Sequence, residues 1–250
     1  MAHIIPFHGT LYNPTTVGDV RKVVAPPYDI IDSTLQKTLH DRHPNNVIRL
    51  ELGYEQAGDA PANNKYTRAA AALTDWLKSG ALRKDSQPAV YYHTIEYRPP
   101  YSAPGTPTKI FKGFLSTVEL EEFGSGKIYP HENTRAAAKT DRLNLLEACR
   151  ANFSAIISLY SDPQNEVLNL LEQSIASEKP RIDFQDDEGF RQQLWSVTDA
   201  KVLAKVVQIM NINNCSSPTG IIGTKRLSTT GNPDGNRLEP PPHRNLTTMC

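Results

Sequence analysis

The sequence has no excess of charge of either sign: 27 basic and 27 acidic residues among 250 cancel to a formal net charge of zero. No overall field favours nucleic acid, an anionic membrane or an acidic partner. It also has no run approaching the roughly 18 apolar residues that suggest a membrane span. The start, MAHIIPFHGT, has neither the basic nor the apolar region of a signal peptide. A cytoplasmic location is the expectation from these absences. Cysteine is scarce: Cys149, Cys215 and Cys250 are an odd number without CxxC spacing, which indicates neither a disulfide framework nor a zinc site. His3, His8, His40, His43 and His93 are dispersed and none meets another ligand type at metal spacing, so core or surface roles are expected for them and no metal site. Gly124 and Gly126, in FGSGK, lack the GxxxxGK[ST] pattern and a following helix signal, which sets aside a P-loop enzyme.

What is present is a mixture of helical and strand signals in a chain long enough to bury a substantial core. IIPFHGTLYNP and VRKVVAPPYDII each read as a short buried strand running into a turn, the second broken by Pro26 and Pro27. Ser33 is the expected N-cap of a short helix through His40. NVIRLELG then reads as a strand whose Val47, Arg49 and Glu51 alternate with Ile48, Leu50 and Leu52, giving one wet face. From Asn64 to Ser79, the residues Ala69, Ala72, Leu73, Trp76 and Leu77 recur at helical spacing, with Gly80 as the stop. AVYYHTIEYR and KIFKGFLSTVEL predict an antiparallel hairpin around the Pro-rich loop PPYSAPGTPT. A second helix is predicted from about Thr134 to Cys149, and SAIISLYS predicts a buried strand. Pro163 is expected to start a third helix, EVLNLLEQSIA, with the proline near its first turn. RIDFQ and LWSVT read as strands around the acidic turn DDEG, and Asp199 is the expected cap of the amphipathic DAKVLAKVVQIM. Hairpins mixed with helices, without a regular βαβ alternation, predict an α+β fold.

Beyond Asn213 the composition shifts to Pro, Gly, Thr and Asn with no sustained period, which predicts a disordered tail over 213–250. A second reading accompanies it. With ordinary codons chosen for Asn214 to Leu227, a frame shifted by two bases spells Leu-Phe-Ile-Ala-Asp-Gly-His-His-Arg-Tyr-Glu-Thr-Ala, a strand, a polar turn and the start of a helix. A frameshift at about Asn211 to Asn214 is therefore inferred.

Through PFHGTLYNP, VVAPPYDII, NVIRLELG, YTRAAAALTDWL, GFLSTVELEEFG, PHENT, KTDRLNLLEACRANFSAI and the hidden DGHHRYETA, the chain resembles the family known as domain of unknown function 1015. The resemblance covers residues 1–212, which read as the amino-terminal part of the family domain. It implies no settled activity. The Asp-Gly-His-His-Arg signature is also similar to that of ParB-like free-serine kinases, where it belongs to a nucleotide-dependent phosphotransfer site. That likeness implies small-molecule phosphotransfer in intact relatives, with ATP or ADP and Mg as cofactors, and a truncated, inactive chain here.

The residues themselves offer two candidate sites. Tyr129 to Thr134 (YPHENT), followed by Lys139, Asp141 and Arg142, gathers a histidine, a carboxylate and cations at a helix start. There, free N–H groups together with Thr134, Lys139 and Arg142 could hold a phosphate, with His131 or Glu132 as acid or base. The structural alternative is that Thr134 or Asn133 caps the helix while Asp141 and Arg142 lie on its solvated face. In APPYDII, the rigid Pro-Pro pair could hold Tyr28 and Asp29 in a substrate cleft, or Asp29 could simply bond neighbouring backbone in a turn. Arg49 and Glu51 are expected to face water. Asp186, Asp187 and Glu188 are expected to form a solvated turn rather than a calcium loop. Two classes of function follow: an enzyme of small-molecule phosphotransfer, or a non-catalytic module binding a phosphorylated metabolite. Neither involves nucleic acid or a membrane, and the oligomeric state is left open.

Overall fold

The structure, a computed structural model, describes residues 3–103, 105–120, 128–130, 136–211, 215–217 and 245–249. In chain order the elements are β1 (Ile4–Ile5), β2 (Thr10–Tyr12), α1 (Pro14–Val17), α2 (Ser33–Arg42), α3 (Ile48–Glu51), α4 (Lys65–Ser79), β3 (Leu82–Lys84), β4 (Val90–Tyr97), β5 (Lys109–Glu119) and β6 (Ile128–Pro130). They continue with α5 (Ala136–Cys149), β7 (Ile156–Ile157), β8 (Leu159–Tyr160), α6 (Glu166–Ile175), β9 (Ile182–Gln185), β10 (Arg191–Val197), α7 (Ala200–Met210), β11 (Cys215–Ser217) and β12 (Asn245–Met249). The class is α+β. The chain divides into two compact units: a helical unit of residues 9–86 and 140–154, and a sheet unit of residues 1–8, 87–139 and 155–250. No helix among the described residues is long and apolar enough to cross a membrane.

In the sheet unit, β4 and β5 form the predicted antiparallel hairpin, with Tyr91 opposite Leu115 and Tyr97 opposite Lys109. β10 pairs with β4 and then with β9, and β1 pairs with β5, all antiparallel. Alternation along these strands sends Val90, Tyr92, Phe114, Val118 and Val197 into one core with Val167 and Leu171 of α6 and Val206 and Met210 of α7. Asp199 caps α7 as expected, accepting from the N–H groups of Lys201 and Val202. The third helix covers EVLNLLEQSI as expected, with Pro163 just ahead of it and the Asp162 carboxylate accepting from the free N–H groups of Glu166 and Val167. The single strand expected over SAIISLYS is split into β7 and β8. Asp186 closes the acidic turn on itself, accepting from the N–H groups of Glu188 and Phe190. Within the tail expected to be disordered, β11 pairs with β6 and β8, and β12 pairs with β5 and β7.

In the helical unit, α4 follows the sequence pattern closely. Asn64 and Thr67 form a reciprocal capping box, and Gly80 ends the helix with φ 75° in the left-handed region. Ala69 and Trp76 are buried, and Trp76 packs with Val17, Val23, Leu50 and Leu82, while Leu77, placed in the apolar stripe by its spacing, is exposed. Three local expectations are overturned here. VRK is not a strand but a 3-10 turn over Val20–Lys22, opened by Asp19, whose carboxylate accepts from the Arg21 N–H. The cap of α2 is Asp32, accepting from the Leu35 N–H, and Ser33 is already helical. IRLE is α3, one helical turn rather than a strand. The buried Asn46 amide donates to the carbonyls of Lys22 and Val24, while its oxygen accepts from the Ile48 N–H and starts the turn.

Candidate functional site

The curl of α3 decides where its polar residues go. Instead of facing water from a strand, Glu51 is buried, its side chain 7% exposed. Its carboxylate Oε1 accepts from Arg142 Nη1 at 2.6 Å and from Ser154 Oγ at 2.7 Å, and its backbone carbonyl accepts from Arg142 Nη2 at 2.8 Å. Arg142, on α5, is also buried rather than solvated, with 13% of its side chain exposed. The expectation of a solvated α5 face at Asp141 and Arg142 therefore fails: the guanidinium is turned inward, and its bonds to Glu51 and Asp141 offset the cost of its desolvation.

Asp141 collects a second set of donors. Arg142 Nε lies 3.0 Å from Oδ2, and Nη2 reaches the same oxygen. Lys65 Nζ and Tyr66 OH, both from the first turn of α4, lie 2.9 Å from Oδ1. Lys65 also reaches the exposed Glu55 at 3.0 Å. The Tyr28 ring packs against the other side of the guanidinium, 4.2 Å from Cζ. The result is one polar cluster in the helical unit, drawn from α3, α4, α5, the turn Tyr28–Ile30 and the segment after α5.

The two carboxylates respond oppositely to the same arginine. Burial pushes Glu51 above the usual carboxylate range, and the bonds from Ser154 and Arg142 offset this only in part. Burial also pushes Asp141 up, but the combined hydrogen bonds from Arg142, Lys65 and Tyr66 outweigh it and hold Asp141 below its ordinary value. The difference follows from two donors on a deeply buried group against four on a shallower one. Burial likewise raises Tyr28, against the pull of Arg142, and pushes the Cys149 thiol up to about 11.

Of the residues singled out in the sequence, the structure brings Tyr28 and Arg142 together. Asp29 is exposed in its 3-10 turn. Lys139 is partly exposed on α5. His131, Glu132 and Thr134, along with Gly124 and Gly126, lie outside the described residues. Nothing local in the sequence marks Lys65, Tyr66 or Ser154 as site residues, and the strand expected over NVIRLELG turns Glu51 toward water, whereas it is buried. His40 is buried and stacked on Tyr54 with ring centroids 4.0 Å apart. His93 bonds Gln192 at 3.0 Å. A wider groove in the sheet unit is lined by Glu96, Tyr97, Arg98, Asp183 and Arg191. None of these titratable groups is buried, and Arg191 is already paired with Asp183 at 2.7 Å. Among the described residues no three His, Cys, Asp or Glu side chains converge as metal ligands.

Chemically, the cluster can hold a proton at Glu51, present a hydroxyl at Ser154, and concentrate cationic donors at Asp141. Compared with known proteins, residues 4–216 match the model of a family described as Protein of unknown function (DUF1015). No curated protein and no solved structure matches the chain.

Proposed function

This chain belongs to the DUF1015 family, and on that premise we propose that intact members are phosphotransferases acting on a small, serine-like hydroxyl compound, and that this chain is a truncated, inactive form. The observation that carries the reading is the Asp-Gly-His-His-Arg spelled by the shifted frame of Asn214 to Leu227, the signature of a nucleotide-dependent phosphotransfer site in ParB-like free-serine kinases. The family match is consistent with it in ending at residue 216, inside the stretch Asn214 to Leu227 that the shifted frame re-spells. ATP or ADP with Mg is the cofactor of this reading. His131 or Glu132 serves as acid or base, Thr134 and Lys139 hold the phosphate, and Tyr28 and Asp29 border the substrate. Arg142 joins them only by exchanging Asp141 for a phosphate oxygen, since its donors are engaged here.

The test is to resequence the codons for Met210 to Leu227 and assay the frame-restored protein for nucleotide turnover with serine and related alcohols. Turnover that depends on the restored Asp-Gly-His-His-Arg is the expected result. A restored protein that neither binds nor consumes nucleotide would sink the reading. One observation favours a second reading, a non-catalytic module for a phosphorylated metabolite: Lys65, Tyr66 and Arg142 direct four donors at one anionic group, Asp141, a set that suits a phosphate equally well. Calorimetric binding of phosphoserine without turnover would support it over the first.

A further inference from the structure

We propose that Ser154 is a nucleophilic serine that accepts a phosphoryl group, with Glu51 as its general base and Arg142 as the residue that positions the base. The proposal stands on the helical unit alone and does not depend on the phosphotransfer reading of intact relatives.

The geometry has the three parts that an activated hydroxyl needs: a nucleophile, a base within hydrogen-bond reach, and a third group that orients the base. Ser154 follows α5 in a bend and is an exposed residue, whereas its partner Glu51 is buried. Its Oγ lies 2.7 Å from Glu51 Oε1. An ionised carboxylate can only accept, so the shared proton belongs to the serine and points at the base. Arg142 grips Glu51 at both its carboxylate and its backbone carbonyl, 2.6 and 2.8 Å away, and the Tyr28 ring backs the guanidinium. The base is thus fixed at two points. A serine that merely anchored a loop would have no need of so deep an acceptor; here the exposed partner is the nucleophile and the buried partner is the base. Burial raises Glu51 above a free carboxylate, which makes it a better proton acceptor at neutral pH.

In the step, the Ser154 Oγ–P bond forms as the bond from phosphorus to the leaving group breaks. The leaving group departs with that electron pair, and the serine proton passes to Glu51. Neutral Glu51 is the form its burial favours, and on losing its charge it weakens its hold on Arg142. The Nη1 donor of the guanidinium then becomes available to an oxygen of the new phosphoserine, while Nε and Nη2 stay on Asp141. Phosphoryl rather than acyl transfer is assigned because the Arg142 donor released by Glu51 suits an anionic product. The donor class is a phosphoric anhydride or, as a probe, a fluorophosphonate with fluoride as the leaving group.

The experiment treats the full 250-residue chain with a fluorophosphonate probe and locates the adduct by peptide mass spectrometry. The expected result is modification at Ser154, absent in Ser154→Ala and slowed about a hundredfold in Glu51→Gln. Labelling of the wild-type chain should also rise with pH through a single ionisation above the ordinary carboxylate range, a readout that needs no variant to fold. No adduct at Ser154 in a chain that unfolds cooperatively would overturn the proposal. So would labelling that proceeds equally fast in Glu51→Gln or in the heat-unfolded chain.

Discussion

Replacing Arg142 by Met keeps the aliphatic stem and removes the charge, leaving Glu51 buried with Ser154 as its one remaining side-chain donor. An unpaired carboxylate in that position is costly, but the cost has a ceiling, because the group can take up a proton instead. Against the ordinary glutamate value of 4.5, protonation costs about 3.4 kcal/mol at pH 7 and about 0.7 kcal/mol at pH 5, at roughly 1.36 kcal/mol per unit. Part of that cost is already present in the wild type, whose Glu51 is raised, while the lost bond to the Glu51 carbonyl adds about 1 kcal/mol. The net expectation is a loss of about 3 kcal/mol at pH 7 and about 1 kcal/mol at pH 5. The sign is fixed by linkage. A carboxyl raised in the folded state binds more protons folded than unfolded, so its penalty is absent below the unfolded value and grows as pH rises through the folded one. Urea unfolding followed by tryptophan fluorescence provides the assay. The chain has two tryptophans, Trp76 in the helical unit and Trp195 in the sheet unit, so a Trp195→Phe background isolates the unit of interest. With a slope of about 1.5 kcal/mol/M, the midpoint should fall by about 2 M at pH 7 and by less than about 1 M at pH 5. A drop of equal size at the two pH values would refute the reasoning, since it would mean that Glu51 is not the group left stranded.

His40 is held below the usual imidazole range by burial and by the neighbouring Arg49, so stability of the helical unit should fall as pH drops below the unfolded histidine value of about 6.5; His40→Phe should flatten that part of the urea-midpoint profile. Asn64→Ala removes the acceptor of the α4 capping box and should cost about 1 kcal/mol, measured as a lower midpoint on Trp76. Phe114→Ala empties a fully buried position of the sheet unit and should cost about 3–5 kcal/mol, seen as a lower urea midpoint on Trp195 in a Trp76→Phe background.

The elements legible from sequence were those whose determinants are local. The hairpin of β4 and β5 carries its own period of two and its own turn residues, and α4 and α7 carry caps within five residues of their apolar stripes. α3 was illegible because four residues of apolar alternation fit either a strand or one helical turn. What decided for the helix was a buried side chain, Asn46, bonded to carbonyls 22 and 24 residues earlier. The site failed for the same reason on a larger scale. Arg142 and Glu51 are 91 residues apart and Ser154 and Glu51 are 103 apart, and no spacing rule spans such a distance. The α5 start drew attention to Arg142, but as a ligand for phosphate; its actual neighbours come from elements that local patterning could not place beside it.

The helical unit is assembled from two stretches of chain, with 53 residues of the sheet unit, 87–139, threaded between them. During synthesis this sets an order of events. The first stretch, through residue 86, emerges with Glu51 still lacking its arginine and serine, and must wait until residue 154 has left the ribosome before its polar cluster can close. Closing so long a loop is slow relative to local helix formation, so the nascent helical unit passes through an interval in which a carboxylate destined for burial is solvated and ionised. The sheet unit waits longer still, since α6, β9, β10 and α7 all follow residue 154. The unit that is completed first is therefore interrupted by a segment of the unit that is completed last, and a ribosome stalled between residues 86 and 140 would hold two unfinished units rather than one finished one.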